Sequence, residues 1–377
     1  MSPKNLFEAQ AIVKVIGVGG GGCNAVNRMV AAGVQGVQFI AMNTDRQALE
    51  HSLADEKIAL GESQTRGLGT GGDPAKGLSS AKESERAITE ILEGADMVFV
   101  TAGMGGGTGT GAAPYVAELS KRLDILTVGV VTRPFEFEGP KRKRNAQSGL
   151  DLLAEKTDTL IVIPNDNMMK VVERKTTLQD AFSAADDVLR QGVQGISDIV
   201  LNTGVVNVDF ADVRAVMKDA GIALMGIGRG VGENRARVAA EMAANSELLE
   251  FSISGAKRLL VNFTAGPDFA IGEAYDAMDY LLQLAHAEDA AVFMGHVVDE
   301  NMHDEVQLTL LAADLDKVSN AISKSDVFSQ TAVRSTRNPA ETPQIGIGRE
   351  SPKEIEIDEL DLDIPTFLRK QRQGFTA

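Results

Sequence analysis

The sequence predicts an α/β protein with a Rossmann-like parallel sheet in its first half, then a long central helix, then an α+β domain with a mixed sheet. Three observations predict this order. Near-continuous apolar runs alternate with helical stretches in the first half, as in a parallel sheet covered on both faces. From Leu178 to Val200, apolar residues recur at spacings of three and four, which indicates a helix of about six turns. Beyond this helix, strand-like and helix-like stretches follow without regular alternation.

Each element is predicted from its own local pattern. First-half strands are expected at Ile12–Gly17, Val37–Met42, Asp96–Thr101, Ile125–Val131 and Thr159–Pro164. The helices between them are expected at Asn24–Ala32, Glu83–Leu92, Pro114–Leu123 and Ala146–Lys156. In the second half, strands are expected at Arg258–Thr264, Ala290–His296 and Glu305–Ala312, with helices at Val238–Ala244 and Ala274–Ala285.

Composition excludes several classes of protein. The net charge of −16 repels phosphate backbones, so nucleic acid is not expected as a partner. Cys23 is the single cysteine, and the four histidines lack ligand-like spacing, so no protein-bound metal site is expected. No apolar run is long enough to span a membrane, and the polar N-terminus does not match a secretory signal. We therefore expect a cytoplasmic protein.

Two glycine-rich loops follow predicted strands and lead into predicted helices. The first, Gly17–Asn24, contains the G-x-G-x-x-G spacing, and Asp45 ends the next strand, so an NAD-dependent oxidoreductase is one interpretation. The second, Gly103–Gly111, is richer than a dinucleotide fold needs and lacks the Gly-Lys-Ser/Thr of a Walker loop. Repeated glycines let successive N–H groups converge on phosphate oxygens. Two such loops predict a site for a di- or triphosphate at the carboxyl edge of the sheet.

Three other segments leave alternatives open. Gly67–Pro74 is either a lid over phosphates or a surface turn. The basic run Lys141–Arg144 is either a solvated helix start or part of an anion site. Cys23 is expected to fill a small space in its loop, although a thiol next to a helix N-terminus can have a lowered pKa.

The C-terminal region changes character twice. Ser323–Lys353 is rich in Ser, Thr, Asn, Pro and Gly, which predicts a flexible linker. Glu354–Asp363 then alternates acidic and apolar residues, and an apolar cluster with a basic end follows. This terminus is either a solubilising tail or a short peptide that folds onto a partner.

At Gly105–Gly111 the chain resembles the tubulin/FtsZ family, whose phosphate loop is GGGTGTG or GGGTGSG. FtsZ-type members match over nearly the whole chain, whereas eukaryotic tubulins and plasmid-type homologues match more loosely and lack the tail. The other matching stretches are Val18–Asn27, Asn43–Asp45, Thr65–Gly69, Ala102–Pro114, Thr132–Phe135, Ile163–Asp166, Arg190–Asp198, Asn207–Asp212 and Asp363–Arg369.

The resemblance implies a GTP/GDP site with Mg²⁺ as the expected cation. The residues implied for the phosphates are Gly19, Gly20, Gly21, Asn24, Asn43, Thr70, Gly71, Gly72, Gly106, Gly107, Thr108 and Gly109. Glu138 and Arg142 are implied for the ribose and its surroundings, and Asn165, Phe182 and Asp186 for the guanine. In Gly67–Pro74 the segment Thr70–Asp73 departs from the more common Gly-Ala-Gly-Ala-Asn.

The residues themselves support part of the base site. Phe182 and Asp186 lie four apart on the predicted central helix, so they share a face. A ring there can stack on a purine while the carboxylate accepts from the N1–H and amine of guanine, which adenine lacks on that edge. Asp187 is equally acidic, and Asp186 is favoured only by the family pattern.

Two carboxylates beyond the central helix are the candidates for hydrolysis. Asp209 and Asp212 lie three apart at a helix start, so they are either an ordinary N-cap or a holder of a water or cation. The resemblance implies that this loop, with Asn207, enters the nucleotide site of the next subunit. It therefore implies a GTPase that polymerises head to tail and turns over GTP at subunit contacts.

The resemblance also implies a function in cell division, at the midcell ring. The tail is then expected to dock on membrane-tethering division proteins through Asp363, Ile364, Pro365, Phe367, Leu368 and Arg369. A tubulin-like filament protein without a role in division remains an alternative. The expected domains are a flexible N-terminus (1–10), a GTP-binding domain (11–175), the central helix (176–202), a GTPase-activating domain (203–315), a disordered linker (316–353) and a partner-binding tail (354–377).

Overall fold

The computed structural model describes residues 11–171, 176–201, 209–246, 249, 251–285 and 290–315. All of them lie in the first unit of the chain, residues 1–325. Their strands are β1 (Val13–Val18), β2 (Val37–Asn43), β3 (Glu56–Ala59), β4 (Met97–Gly103), β5 (Leu126–Arg133), β6 (Thr159–Pro164), β7 (Gly221–Val231), β8 (Ala256–Ala265), β9 (Ala291–Val298) and β10 (Glu305–Leu315).

The helices of the same residues alternate with the strands in the first half. They are α1 (Gly19–Ala31), α2 (Arg46–Glu50), α3 (Glu62–Thr65), α4 (Pro74–Glu83), α5 (Glu85–Leu92), α6 (Thr108–Arg122), α7 (Pro140–Lys156), α8 (Asn165–Val171), α9 (Leu178–Leu201), α10 (Phe210–Met217), α11 (Arg235–Ala244) and α12 (Ile271–Ala285). None of the described helices is long and apolar enough to cross a membrane.

The described strands form one ten-stranded sheet in the order β3-β2-β1-β4-β5-β6-β7-β10-β8-β9. The strands from β3 to β7 in this order are parallel. β10 lies antiparallel between β7 and β8, and β9 pairs parallel with β8. The predicted α/β fold, with a parallel sheet followed by a mixed one, is confirmed.

Helices cover both faces of the parallel part of the sheet. On one face, side chains of α1, α9 and α10 pack against the strands, among them Met29, Val193 and Met217. On the other face, α5, α6 and α7 contribute Ile88, Val116 and Leu150. Because the parallel strands are covered on both faces, their residues are almost all apolar, and this continuous apolar pattern is what made them readable in the sequence.

The long helix α9 is confirmed with 24 residues. Its apolar stripe enters the core from Ala185 onward. Nearer its start, Ala181 is buried, but Leu178 is 61% exposed and Phe182 is 38% exposed. α9 packs against β5 and also contacts β10 of the second half. A Cβ on Gly195 of α9 would lie 2.7 Å from Thr309 Cγ2 of β10.

Several predicted bounds are wrong, mostly at glycines. α1 begins at Gly19 rather than Asn24, and α6 begins at Thr108 rather than Pro114. Glycine has a low intrinsic helix propensity, so these glycines were assigned to loops. In the structure they form the first turn of the helix that follows the strand, where the N–H groups have no partner within the helix. β3, α2, α3, α4 and α8 were not predicted as separate elements, because short elements carry too few residues for a periodic pattern. Of α10, only the start at Asp209 and Asp212 was predicted.

β7 was not predicted as a strand, and it contains glycines at alternate positions. Gly226, Gly228 and Gly230 alternate on the face that meets α11. A Cβ on any of them would lie under 3.0 Å from a backbone oxygen of α11, at Ala243, Ala239 and Arg235 respectively. Side chains are therefore absent here because the helix backbone lies directly on the strand.

We expect Gly228→Ala to destabilise the folded chain by about 2 kcal/mol or more, because the new methyl group must push α11 off the strand. Urea unfolding monitored by circular dichroism measures this change. Gly272→Ala is the matched control, because a Cβ there meets no atom within 4 Å. Equal unfolding midpoints for the two variants would contradict the close approach of β7 and α11.

Candidate functional site

The two glycine loops lie at the point where the strand order reverses. β1 and β4 are neighbours in the sheet, yet their connections run to opposite sides, to β2 and to β5. In open α/β sheets, ligands bind in the crevice at the carboxyl ends of such a strand pair. The first loop follows β1 and the second follows β4, so both open onto this crevice.

The loops also contact each other. A Cβ on Gly19, whose φ is +72°, would lie 2.7 Å from the Gly109 nitrogen. A Cβ on Gly21 would lie 3.1 Å from the backbone of Gly103. The start of α1 and the start of α6 therefore stand side by side, and the N–H groups of both helix termini converge.

The third loop, Gly67–Pro74, packs on the second. Thr70 Oγ1 lies 3.5 Å from Thr108 Oγ1, which in turn lies 2.6 Å from Thr44 Oγ1. Asn145 Nδ2 donates to the carbonyl of Gly72 at 3.3 Å and to that of Gly105 at 3.4 Å. The segment is thus joined to the phosphate loop, and its Asp73 caps α4 through the Ala75 N–H at 2.9 Å.

Some of the loop glycines leave space that a ligand can use. A Cβ on Gly20, Gly71, Gly72 or Gly106 would meet no atom of the described residues within 4 Å. At Gly107, in contrast, a Cβ would lie under 3.0 Å from Thr70 Oγ1. The open positions lie on three loops around one crevice, which fits the backbone cradle predicted for phosphates.

Asn24 and Asn43 differ in exposure. Asn24 is exposed on the second turn of α1, near the open crevice. Asn43 is 3% exposed at the end of β2, and its Oδ1 accepts from the Asp45 N–H at 3.3 Å. Asp45 caps α2 through the N–H groups of Gln47 and Ala48, so its carboxylate is occupied by the protein backbone.

Cys23 fills a small buried space, as expected, and the alternative of a lowered thiol pKa is wrong. The side chain is 2% exposed, and burial raises the pKa of the thiol to about 12. Its Sγ faces the carbonyls of Gly17 and Met42 at 3.6 and 3.8 Å. Desolvation outweighs the helix terminus here, and Cys23 fills space between β1 and β2.

We therefore expect the Cys23 thiol to resist a disulfide reagent in the folded protein at pH 8 and to react fully in urea. A thiol-titration assay with an aromatic disulfide measures this difference. Rapid reaction of the folded chain would show that the loop opens far more readily than the buried thiol indicates.

At the other end of the crevice, Glu138 and Arg142 form an ion pair across one turn at the start of α7. Glu138 Oε1 also accepts from the Phe135 N–H at 2.9 Å. The basic run is a largely solvated helix start, and Lys143 pairs with Glu136 at 2.9 Å. The Glu138 side chain is only 9% exposed, whereas that of Arg142 is 56% exposed.

The residues predicted for the base lie on α8 and α9, which contact each other. Asn165 begins α8 at the end of β6 and is 5% exposed, and its Oδ1 has no hydrogen-bond donor among the described residues. The Phe182 ring packs edge-on against Phe135 at 5.2 Å and Phe137 at 6.5 Å. A buried acceptor without a donor suits the polar edge of a planar heterocycle, and an aromatic cluster suits its face.

Asp186 and Asp187 point to different partners. Asp186 Oδ2 lies 3.5 Å from Arg28 Nε of α1. Asp187 accepts from Arg190 at 2.7 Å and from Gln191 at 2.6 Å on its own helix. The carboxylate of Asp187 is therefore used within α9, and Asp186 is the one that faces the glycine-loop helix.

Asp209 and Asp212 lie at the opposite edge of the sheet. Asp209 is the N-cap of α10 and accepts from the Asp212 N–H at 2.8 Å. In the same helix, Arg214 donates to the carbonyl of Asp124, just before β5 begins. The starts of parallel strands form the edge opposite to their carboxyl ends, so both carboxylates lie across the sheet from the glycine loops. Asn207 lies outside the described residues.

Among the described residues, no group of three or more His, Cys, Asp and Glu side chains is arranged to hold a metal ion. Further residues around the site were not predicted from the sequence. Thr44, Asn145, Phe137 and Arg28 contact predicted residues from other elements, and only Thr44 lies within a stretch that the resemblance had marked.

The chain was compared with protein families and solved structures. The Tubulin/FtsZ family, GTPase domain, matches residues 12–173, and the FtsZ family, C-terminal domain, matches residues 221–316. An FtsZ dimer of M. jannaschii, described as empty, is 42% identical with a TM-score of 0.77, covering 81% of this chain and 88% of that chain.

Two more distant structures share the fold. CetZ2 from Haloferax volcanii, a GTPγS-bound protofilament, is 20% identical with a TM-score of 0.70, covering 83% of this chain and 96% of that chain. CetZ1 from the same organism, a GDP-bound monomer, is 21% identical with a TM-score of 0.72 over the same shares. The two family matches and the 42% identity confirm the resemblance: the chain belongs to the tubulin/FtsZ family, as a GTPase of the FtsZ type.

Proposed function

We propose that this GTPase assembles head to tail in the presence of GTP and hydrolyses GTP where one subunit meets the next. The observation that carries the proposal is the separation of the site into two halves. The glycine loops open at the carboxyl edge of the sheet, and Asp209 and Asp212 lie at the other edge. A second copy in the same orientation brings the carboxylates of one subunit over the phosphates of its neighbour. Such a contact does not close on itself, so it generates an open filament.

The residues around the crevice fit GTP. The open glycines offer backbone N–H groups to the phosphates, and Thr108 and Thr70 offer hydroxyls. Asp186 accepts from the N1–H and amine of guanine, and Phe182 covers the base. Mg²⁺ is expected with the triphosphate, held mainly by phosphate oxygens and water. The G-x-G-x-x-G spacing of the first loop is then explained by phosphate binding. The alternative of an NAD-dependent oxidoreductase is not supported.

The filament is proposed to belong to the bacterial division ring, with the tail residues Asp363–Arg369 docking on membrane tethers. These residues lie outside the described part of the chain, and the family resemblance supports their role. The compared structures include an FtsZ dimer and a CetZ2 protofilament, which agrees with self-assembly. Deletion of residues 361–377 is expected to abolish midcell bands without loss of polymer in vitro. Intact bands would favour a filament without a role in division.

A thermal-shift screen of GTP, GDP, ATP and NAD, followed by light scattering, tests the proposal. GTP and GDP are expected to raise the melting temperature, since they bind only the folded chain, whereas ATP and NAD are not. Scattering is then expected to rise on addition of GTP and to decay as GTP is consumed. Stabilisation by NAD, or the absence of a scattering rise at any protein concentration, would contradict it.

A further inference from the structure

Helix α1 connects the phosphate loops with the acceptor for the base. It begins at Gly19 in the first glycine loop, and its last turn carries Arg28. Nine residues of helix separate the two, which corresponds to roughly 13 Å. Arg28 Nε lies 3.5 Å from Asp186 Oδ2, so this contact joins α1 to α9 beside the base site.

The Asp186 carboxyl is in an environment that disfavours its charge. Burial raises its pKa to about 6, and the Arg28 guanidinium is the opposing influence. The neighbouring charges are engaged elsewhere. Asp187 pairs with Arg190 along α9, and Asp166 of α8 accepts from a backbone N–H of the turn after β5. Among the described residues, Arg28 is therefore the cation that acts on Asp186.

The charge state of Asp186 decides what it can recognise. As a carboxylate it only accepts hydrogen bonds, which matches the two donors on the guanine edge. A protonated carboxyl presents a donor instead, so one of the two guanine contacts is lost. The side chain of Asp186 is 17% exposed, so water does little to stabilise its charge.

We infer that Arg28 is a positioning residue for base specificity, which keeps the Asp186 carboxylate ionised and oriented so that guanine recognition persists at mildly acidic pH. The inference rests on the proposed role of Asp186 as the guanine acceptor. Arg28 Nε lies 3.5 Å from Asp186 Oδ2, and a carboxylate has about four lone-pair positions, so it can accept from Arg28 and from the base together. Because α1 also begins at the phosphate loop, the same helix sets the position of both ends of the nucleotide.

The test compares GDP affinity between pH 8 and pH 5.5 in the full-length chain, with Arg28→Gln, Arg28→Met, Arg28→Lys and a control. Arg86→Gln is the control, since Arg86 is an exposed cation on α5, remote from the site. As the pH is lowered, we expect the GDP affinity of the neutral variants, Arg28→Gln and Arg28→Met, to begin to fall at a higher pH than that of the wild type. For each unit that the Asp186 pKa rises, affinity at pH 6 should weaken by about fivefold relative to pH 8. Arg28→Lys should retain most of the wild-type profile.

Titration of the GDP phosphates is common to all variants, so it cancels in this comparison. Arg28→Met keeps the apolar stem and its packing. A carbon-13 NMR titration of the Asp186 carboxyl in wild type and Arg28→Met gives a second measurement, in which the pKa is expected to be higher in Arg28→Met. A pH profile in the neutral variants equal to that of wild type would overturn the inference. If Asp186→Asn loses the preference for guanine but the neutral Arg28 variants keep the wild-type pH profile, only the role of Arg28 is contradicted. If Asp186→Asn keeps the preference for guanine, the assignment of Asp186 as the guanine acceptor is itself contradicted.

Discussion

Replacement of Asp212 by asparagine is expected to lower GTP turnover on the order of 100-fold or more while GTP affinity of the isolated subunit stays unchanged. The reason is the separation of the two halves of the site. Asp212 is at the start of α10, at the amino edge of the sheet, so it cannot touch the nucleotide of its own subunit. Filaments should therefore form and persist, because assembly requires bound GTP and disassembly requires its hydrolysis.

Mixing two inactive variants makes this test specific for a shared site. Gly20→Asp places a carboxylate where phosphate is expected, at a position where a Cβ meets no protein atom within 4 Å. Such a subunit should fold but not bind GTP, while its own Asp212 remains intact. Combined with Asp212→Asn subunits that do bind GTP, it should restore turnover at mixed contacts.

The matched control for this experiment is Asp151→Asn, which removes an exposed carboxylate on α7 that accepts only from Gln147 among the described residues. This variant should hydrolyse GTP at the wild-type rate. Normal turnover in Asp212→Asn would refute the assignment of Asp212. If Asp212→Asn loses GTP turnover completely and mixing with Gly20→Asp does not restore it, Asp212 acts on assembly rather than on hydrolysis.

Asp186→Asn is expected to weaken GTP binding on the order of 100-fold and to improve binding of the xanthine nucleotide relative to it. An amide offers one acceptor and one donor, whereas the guanine edge offers two donors. Xanthine carries an oxygen in place of the guanine amine, so its edge complements an asparagine. Competition against a fluorescent nucleotide measures both affinities in one titration.

Asp187→Asn is the control for this substitution. The carboxylate of Asp187 is held by Arg190 and Gln191, and these hydrogen bonds outweigh burial to keep its pKa below the ordinary value. This variant should retain the preference for GTP over ATP. A switch of base preference in Asp187→Asn, with none in Asp186→Asn, would reverse the assignment that the structure favours.

The phosphate loops were readable from the sequence because their chemistry is local. Glycines at the end of an apolar strand and at the start of a helix must bring consecutive N–H groups to one place, whatever the rest of the fold does. The parallel strands were equally readable, since burial on both faces leaves a continuous apolar run. α9 was predicted from its spacing alone, although two of its predicted apolar residues, Leu178 and Phe182, are exposed.

The sequence by itself determined the fold class, the two glycine loops and the long helix, because each depends on residues near one another in the chain. Only the tertiary structure decided which of Asp186 and Asp187 faces α1, since adjacent helical residues point about 100° apart and their partners come from other elements. It also joined Gly67–Pro74 to the phosphate loop and buried Cys23. Above all, it placed Asp209 and Asp212 across the sheet from the glycine loops. That separation arises from strand order and direction, which spacing along a chain does not encode.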